Sequence, residues 1–415
     1  MQKKISVDEL QIGMYVSALD CPWEETSFLF QGFPINHPGE LEELRRLCKH
    51  VFIETERMPE VRERLQTLRP VPKSEARVGI SSPKPRGPKK KDDEGHDQTR
   101  FVAELEQARG IFDDAKNYID SALEDVRLGR SVDTASARRK VSEMVSSVMR
   151  NASALMLMTN LKNRDEYTSI HCVNVSILSV AFGRYLGLGA DELADLGLGA
   201  LLHDIGKMRV PLEILNKPGR LSAEEFETIK KHVIHGYKML DKVDGLPPRA
   251  LDIVLSHHER IDGSGYPRGL SGEGISQFAM MVALVDVYDA VTSDRVYHSA
   301  ISPHDALSMM YDHTPVTFEK GLFEQFIKCL GIFPIGSLVE LSSGQVGMVM
   351  TVNRKRHLKP IVMLLLAPDK RPYRVRKMVN LALQGEGEEL YIKRILESSA
   401  YEINVREILK NEAFA

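Results

Sequence analysis

Three features are absent from this 415-residue sequence, and each absence excludes a class of protein. The first is a long apolar run. The longest apolar stretches, near residues 196–202 and 361–367, fall far short of the roughly 18–20 residues that cross a bilayer. No apolar segment follows the two lysines near the start, so a signal peptide is not expected. We therefore predict a cytoplasmic protein that does not bind membranes.

Paired cysteines are the second absence. The chain has only four cysteines, Cys21, Cys48, Cys172 and Cys329, and none forms a CxxC pair. This spacing indicates neither a disulfide framework nor a cysteine-based zinc site. Reduced thiols in a reducing compartment are expected instead.

An excess of positive charge is the third absence. The formal net charge is −3, although 27% of the residues are charged. Proteins that bind nucleic acids generally carry a marked basic excess, so general nucleic-acid binding is not expected here. The length is sufficient for two or three domains.

The texture of the sequence changes along the chain and divides it into four segments. Residues 1–69 predict a small mixed module of strands and one short helix, with a regulatory role as one interpretation. Residues 70–100 are rich in proline, glycine, serine and lysine, and they predict a disordered linker because they bury little apolar surface. Residues 101–333 have helical periodicity, and residues 334–415 predict a β-rich appendage with a terminal helix. The predicted strands of the appendage are residues 337–341, 346–352, 361–366 and 373–375. The predicted fold class is therefore mainly α.

The helical segment begins with an apolar stripe. The residues that form it recur at three- and four-residue steps: Phe101, Leu105, Ala108, Phe112, Ala115, Ile119 and Leu123. Such spacing places them on one helix face. A stripe of this kind belongs more often to a core than to an interface, but a homodimer or a signalling-protein partner is the alternative.

Histidines are concentrated in the middle of the chain. More than half of the thirteen fall between residues 171 and 298. His203 and Asp204 are adjacent, with Lys207 one turn later, and His257 and His258 are adjacent. Asp286 lies within an apolar helix, where an unpaired carboxylate would be costly to bury. Imidazole and carboxylate ligands without sulfur suit iron, manganese or zinc, and so many ligands favour a pair of ions.

These residues resemble the HD-GYP subfamily of HD phosphohydrolases. Residues 203–207 (HDIGK) resemble the HD signature, and residues 257–267 (HHERIDGSGYP) resemble the extended signature of the subfamily. Residues 286–295 are similar as well, and residues 7–16 resemble a domain of unknown function often found ahead of HD-GYP domains. The resemblance implies an all-helical, metal-dependent phosphodiesterase that hydrolyses the bacterial second messenger cyclic di-GMP. In bacteria this activity would favour motility over biofilm formation.

The resemblance also implies a set of metal ligands, in which Asp204 bridges two divalent ions. The implied ligands are His171, His203, Asp204, His232, His257, His258 and Asp286. Iron is the metal that the resemblance favours, with manganese as the next candidate and zinc as a further one. Some relatives bind a third ion through a glutamate, but Tyr167 occupies that position here, so we predict two ions.

The same resemblance implies how the substrate is held and cleaved. A hydroxide bridging the two ions would open the phosphodiester to linear pGpG, and further hydrolysis would give GMP. Lys207 is a catalytic and substrate-binding candidate that would stabilise the transition state or the leaving oxygen. The other substrate-binding candidates are Asp262, Gly263, Gly265, Tyr266, Pro267, Arg295 and His298. Val296 and His298 depart from the usual proline and basic residue, which predicts weaker or pH-sensitive phosphate binding.

Two alternative functions remain open. The first is an HD hydrolase of another nucleotide, because the metal ligands are shared and the pocket contacts decide the substrate. The second is a catalytically weak cyclic di-GMP sensor or scaffold protein. Loss of an implied metal ligand would have pointed to the second alternative, and none is lost.

Overall fold

The computed structural model describes most of the chain. The described residues are 2–21, 26, 28, 32–35, 38–55, 94–161, 167–293, 301–353, 356–384, 390–397 and 400–411. They belong to two compact units, Met1–Lys84 and Pro85–Ala415. Among the described residues, no helix combines the length and apolar character needed to cross a membrane.

The described residues of the first unit form an antiparallel sheet and one α-helix. Its elements are β1 (Gln2–Ser6), β2 (Tyr15–Leu19), β3 (Phe33–Pro34), α1 (Pro38–Leu47) and β4 (His50–Glu54). The strand order is β1-β4-β2-β3. Alternate residues of β4, Val51 and Ile53, enter a core that also contains Leu44 of α1. The predicted mixed character of this region is confirmed.

Eleven helices account for most of the described part of the second unit. They are α2 (Glu94–Arg127), α3 (Thr134–Met158), α4 (Tyr167–Leu186), α5 (Ala190–Leu202), α6 (Leu212–Leu215), α7 (Ala223–Lys230), α8 (His232–Leu240), α9 (Pro248–Ser256), α10 (Gln277–Val291), α11 (Pro303–Thr317) and α12 (Lys320–Leu330). A 3-10 helix at Ile205–Arg209 follows α5. The predicted mainly helical fold is confirmed.

The start of α2 corrects one predicted boundary. The helix begins at Glu94, so the predicted linker over residues 70–100 extends too far. Residues 94–100 are polar and show no apolar period, but extending an existing helix costs little compared with starting one. The rest of the predicted linker, residues 70–93, lies outside the described residues.

The apolar stripe of α2 is part of the core. Phe101 and Phe112 are buried, and α2 packs against α3 and α4. Its exposed surface is therefore the polar one, and the stripe is not available as a dimer interface. Asp133 caps the next helix, α3, by accepting a hydrogen bond from the backbone N–H of Ser136 at 3.0 Å.

Two glycines allow the elements around the histidines to approach closely. A Cβ on Gly199 in α5 would clash with Ile253 of α9. A Cβ on Gly206 would clash with the backbone of His232, so the 3-10 helix lies directly against the start of α8. These contacts bring the end of α5 and the starting turn of α8 together with the end of α9.

The chain ends in a five-stranded antiparallel sheet. Its strands are β5 (Leu338–Leu341), β6 (Val346–Thr351), β7 (Ile361–Leu366), β8 (Met378–Asn380) and β9 (Ile392–Ile395), and the terminal helix is α13 (Val405–Asn411). The strand order is β8-β7-β6-β5-β9. The sheet belongs to the same compact unit as the helices.

One predicted strand in this sheet is wrong. Residues 373–375 form a bend, and β8 begins three residues later at Met378. The side chain of Val375 is 73% exposed, so the alternation of Tyr, Arg and Val does not correspond to a buried face. The neighbouring strand β7 is buried along its whole length and matches its predicted bounds.

Candidate metal centre

Seven ligand-type side chains converge between the helices, in two groups that meet at Asp204. One group contains Asp204, His232, His257 and His258, and the other contains His171, His203 and Asp286. In each group the candidate ligand atoms lie within 4.8 Å of one another. The structure therefore brings together all seven residues that the sequence predicts as metal ligands, although they are spread over 116 positions from 171 to 286.

The carboxylate of Asp204 faces both groups. Its Oδ2 atom lies 3.3 Å from Nε2 of His203 and 3.8 Å from Nε2 of His171. Its Oδ1 atom lies 3.3 Å from Nε2 of His232 and 4.0 Å from Nε2 of His257. One carboxylate oxygen is thus directed toward each group, which is the arrangement required of a bridging ligand.

Each of these side chains is fixed by its place on a helix. His171 is in the first half of α4, and Asp286 is in the buried part of α10. His203 directly follows α5, and His257 directly follows α9. His232 is the first residue of α8. Since all five lie on or directly after helices of nine residues or more, their positions depend on the core and not on a mobile loop.

Backbone carbonyls select the orientation of three imidazoles. Nδ1 of His203 donates to the carbonyl of Ala200 at 2.7 Å, and Nδ1 of His232 donates to the carbonyl of Ile229 at 2.8 Å. Nδ1 of His257 likewise donates to the carbonyl of Val254, in the last turn of α9, at 3.1 Å. Because a carbonyl only accepts, the proton of each neutral ring lies on Nδ1 and Nε2 presents a lone pair.

The protein satisfies the ligand atoms of this cluster only in part. Nε2 of His232 and Nε2 of His257 lie 3.4 Å apart, so two lone pairs face each other. In the described part of the chain, Nε2 of His203 and Oδ1 of Asp204 are buried and have no hydrogen-bond partner. Buried polar atoms without partners are costly, and a cation between them removes that cost. The residues present therefore fit a metal centre.

The ionisation of the cluster also suits metal binding. Burial lowers the pKa of His258 to about 3 and holds the pKa of His257 well below its usual value, so both rings are neutral. Burial would raise the pKa of Asp204, but the charge of Lys207 and the imidazoles outweigh it and hold that pKa well below its usual range. Neutral imidazole and ionised carboxylate are the forms that coordinate a metal.

His171 is held by two carboxylates. Burial lowers its pKa, but hydrogen bonds with Asp286 and Asp289 outweigh burial and raise the pKa to about 9. Nε2 of His171 lies 3.0 Å from Oδ1 of Asp286, and Nδ1 lies 2.7 Å from Oδ2 of Asp289. A metal that binds Nε2 therefore displaces a proton from this ring.

Asp289 was not singled out from the sequence as a site residue. It is buried, and besides His171 it accepts a hydrogen bond from Nδ2 of Asn174 at 3.0 Å. It orients His171 in the way that carboxylates orient metal-binding histidines. The signal was present, because Asp289 lies one turn after Asp286 on the same face of an apolar helix.

Lys207 lies at the edge of the cluster. Its ammonium forms an ion pair with Oδ2 of Asp204. The side chain is 24% exposed, whereas Asp204 is buried, so Lys207 links the buried cluster to the surface.

The loop that follows His258 is tied down by Glu259. This buried carboxylate accepts hydrogen bonds from the backbone N–H groups of Arg268 and Leu270, both at 2.8 Å. Gly265 is required inside the loop, because a Cβ there would clash with the backbone of residues 258–260. The loop places the ring of Tyr266 4.7 Å from the ring of His258.

Some of the other predicted substrate-binding residues lie in the same loop, and the rest lie outside the described residues. Asp262 is engaged within the loop, where it accepts a hydrogen bond from the backbone N–H of Ser264 at 2.9 Å. Gly263 adopts a φ of 80°, which favours glycine. Pro267 follows Tyr266 in the same loop. Arg295 and His298 lie outside the described residues, as does the departure at Val296. Tyr167 begins α4, and its side chain lies outside the described set.

A second, smaller cluster of ligand-type residues lies in the first unit. Asp20, Cys21 and Cys48 present candidate atoms within 4.8 Å of one another, and the two sulfur atoms lie 3.2 Å apart. Both cysteines are free thiols. The spacing of the cysteines does not predict this pairing, because 27 positions separate the two residues and no CxxC pair is present.

Comparisons with known proteins agree with this site. An HD domain model matches residues 147–318, and the model of a domain of unknown function (DUF3391) matches residues 2–137. A cyclic di-GMP phosphodiesterase of Pseudomonas aeruginosa is 34% identical over 400 residues, which cover 94% of this chain and 91% of that protein. A 3'3'-cGAMP-specific phosphodiesterase of Vibrio cholerae is 36% identical over 159 residues, or 38% of this chain and 37% of that protein.

Among solved structures, an HDG"Y"P protein of Bdellovibrio bacteriovorus is similar. It is 20% identical, with a TM-score of 0.46, and the match covers 80% of this chain and 99% of that one.

Proposed function

Because this chain belongs to the family of HD-domain cyclic di-GMP phosphodiesterases, we propose that it hydrolyses cyclic di-GMP in a metal-dependent reaction. The observation that carries the proposal is the Asp204 carboxylate, whose two oxygens face two groups of histidines. That geometry is combined with 34% identity to a cyclic di-GMP phosphodiesterase along almost the whole chain. The product is linear pGpG, and GMP if hydrolysis continues.

We assign two divalent ions to the two groups. His171, His203 and Asp286 would hold one ion, His232, His257 and His258 the other, and Asp204 would bridge them. Bound there, the ions would neutralise the phosphodiester and supply an activated water. The ligand set contains nitrogen and oxygen but no sulfur, which supports iron or manganese and also accommodates zinc.

The remaining residues act on the charge and orientation of the substrate. Lys207 brings an ammonium to the surface edge of the cluster, where it can stabilise the negative charge that develops on the phosphate. Glu259 fixes the loop that presents Tyr266 beside His258. Arg295 and His298 are assigned to phosphate binding from the sequence alone, because arginine's planar fork suits a phosphate.

The main alternative substrate is 3'3'-cGAMP. A relative that matches 38% of this chain is specific for 3'3'-cGAMP, which differs from cyclic di-GMP in one base. The metal ligands act on the phosphodiester and do not distinguish the two bases, so contacts outside the metal centre decide between them. The relative that matches 94% of this chain is a cyclic di-GMP phosphodiesterase, and this match supports cyclic di-GMP as the substrate.

The free cysteines support a location in the cytoplasm. All four cysteines are described as free thiols, including the pair whose sulfur atoms lie 3.2 Å apart. Such a pair would be at risk of oxidation outside a reducing compartment.

The test is a chromatographic assay of both dinucleotides. The protein is purified without oxygen, loaded with ferrous iron or manganese, and given cyclic di-GMP or 3'3'-cGAMP beside an Asp204→Asn control. We expect pGpG or GMP from cyclic di-GMP, at a higher kcat/KM than for 3'3'-cGAMP and only with Asp204 intact.

Each other outcome selects a different function. Faster cleavage of 3'3'-cGAMP would assign the protein to the other substrate. Binding of cyclic di-GMP without cleavage by the metal-loaded protein would make it a sensor.

A further inference from the structure

A row of aromatic rings leads outward from the metal centre. The ring of Tyr266 lies 4.7 Å from the ring of His258, a candidate metal ligand. The ring of Phe226, on α7, lies 6.5 Å from the ring of Tyr266 at an interplanar angle of 83°. Two ring-to-ring steps therefore connect a ligand of the metal centre to the protein surface.

Phe226 is the outermost ring of this row and is not part of the core. It is 45% exposed, whereas Phe101, Phe182, Phe323 and Phe326 in the same unit are fully buried. Phe226 is therefore not needed to fill the interior. An exposed aromatic side chain beside a reactive centre is a typical feature of a binding surface.

Positive charge accompanies the two rings. Nζ of Lys230, one turn after Phe226 on α7, lies 4.8 Å from the centre of the Phe226 ring and 5.6 Å from the centre of the Tyr266 ring. It also pairs with Glu227 at 2.6 Å. The ammonium therefore lies over both rings and places a cation where an anionic ligand would approach.

We propose that Phe226 and Tyr266 form a stacking surface for one guanine base of the substrate, in which the base lies face to face with the Phe226 ring, and that Phe226 is a substrate-binding residue. The inference rests on the proposed function, because it takes a cyclic dinucleotide with its scissile phosphodiester at the metal centre. A ribose connects that phosphodiester to its base, so the base lies beside the cluster, where the two rings are. Aromatic rings stack on nucleobases in this way wherever proteins bind single nucleotides.

The metal centre and the stacking surface are expected to bind different parts of the substrate. The metal centre holds the phosphodiester and does not read the base. The stacking surface holds the base and does not touch the reacting atoms. Loss of Phe226 is therefore expected to weaken substrate binding and to leave the chemical step intact.

The experiment compares Phe226→Ala with wild type in the metal-loaded, full-length protein. We expect KM for cyclic di-GMP, and the dissociation constant of a non-hydrolysable phosphorothioate analogue measured by calorimetry, to rise about tenfold. We expect kcat to change by less than about threefold. Phe226→Trp supplies a larger ring and is expected to restore binding to within about twofold of wild type.

Two controls separate stacking from a structural effect. Inorganic phosphate has no base, so its inhibition constant is expected to be the same in wild type and Phe226→Ala. Met149→Ala removes an apolar side chain of similar exposure, 52%, from α3 and is expected to change neither constant.

The outcomes distinguish this inference from the proposed function. Wild type that binds cyclic di-GMP but does not cleave it would contradict the hydrolase, and the dissociation constant of Phe226→Ala would still decide the stacking surface. Equal constants in wild type and Phe226→Ala would overturn the stacking surface and leave the hydrolase standing. A chain that neither binds nor cleaves the nucleotide would overturn both.

Discussion

Two places in the described part of this chain bring together side chains that could bind a metal, and they differ in how much of their hydrogen-bonding capacity is already used. In the helical unit, Oδ1 of Asp204 and Nε2 of His203 are buried without hydrogen-bond partners among the described residues. In the first unit, Asp20 accepts hydrogen bonds from the backbone N–H groups of Lys49 at 3.1 Å and His50 at 2.8 Å. Asp20 therefore already serves a structural purpose at the turn before β4.

The two clusters also differ in the protonation of their candidate ligands. Burial, together with the neighbouring Cys21 and Asp20, raises the pKa of Cys48 to about 12, so this thiol stays protonated. A metal ligand must be a thiolate. At the helical cluster, by contrast, His257 and His258 are already neutral and Asp204 is already ionised. Proximity of ligand-type residues is thus insufficient, since the donors must also be free and in the ligand form.

Replacing Asp289 by Asn should have the largest effect among the residues that support the helical cluster. Asn has one acceptor oxygen, whereas Asp289 uses one oxygen for His171 and the other for Asn174, and Asn also lacks the negative charge beside the His171 ring. We expect metal affinity or kcat to fall about 10- to 100-fold. Metal titration and steady-state kinetics measure both, with Asp241→Asn on the surface as a matched control. Unchanged affinity and kcat would show that His171 is positioned without Asp289.

Replacing Glu259 by Gln should have a smaller effect that falls on the substrate. The amide would keep one of the two hydrogen bonds to the backbone N–H groups of Arg268 and Leu270, and the other N–H would be left without an acceptor. Such a loss costs about 1–3 kcal/mol, so we expect KM to rise about tenfold while the metal content is unchanged. Glu273→Gln, at an exposed position of the same loop, is the control. Loss of metal from Glu259→Gln would instead place Glu259 among the ligands.

Replacing Cys21 by Ser should have the smallest effect. It tests whether the cluster in the first unit binds a metal, as the helical cluster is proposed to do. If the first-unit cluster does not hold a metal, the number of ions per chain and kcat should both stay within about twofold of wild type. Elemental analysis after gel filtration gives the number of ions. A decrease of one ion per chain would contradict the proposed difference between the two clusters and would make Asp20, Cys21 and Cys48 a second metal site.

The helical site was largely predictable from the sequence, because its signals are local. His203 and Asp204 are adjacent, as are His257 and His258, and Asp286 stands out as a charge in an apolar helix. Gly206 is also required, since only glycine allows the 3-10 helix to contact the backbone of His232. The sequence could therefore indicate which residues meet, and the structure shows that they do.

The supporting contacts were less predictable because they depend on long-range packing. Cys21 and Cys48 meet only through the pairing of β2 with β4, which no spacing rule reveals. Glu259 resembles an ordinary acid until the loop folds back to place two N–H groups beside it. The start of α2 at Glu94 was missed for the opposite reason, because a polar helical turn carries no periodic signal.

The most direct test of the account is the number of metal ions held by wild type and by Asp204→Asn. Both proteins are loaded with ferrous iron or manganese without oxygen, and ions per chain and turnover of cyclic di-GMP are measured on the same samples. A bridging carboxylate predicts two ions in wild type, and one or none in Asp204→Asn, with turnover reduced roughly 1000-fold or more. Two ions and undiminished turnover in Asp204→Asn would contradict the central claim that this carboxylate joins the two halves of the centre.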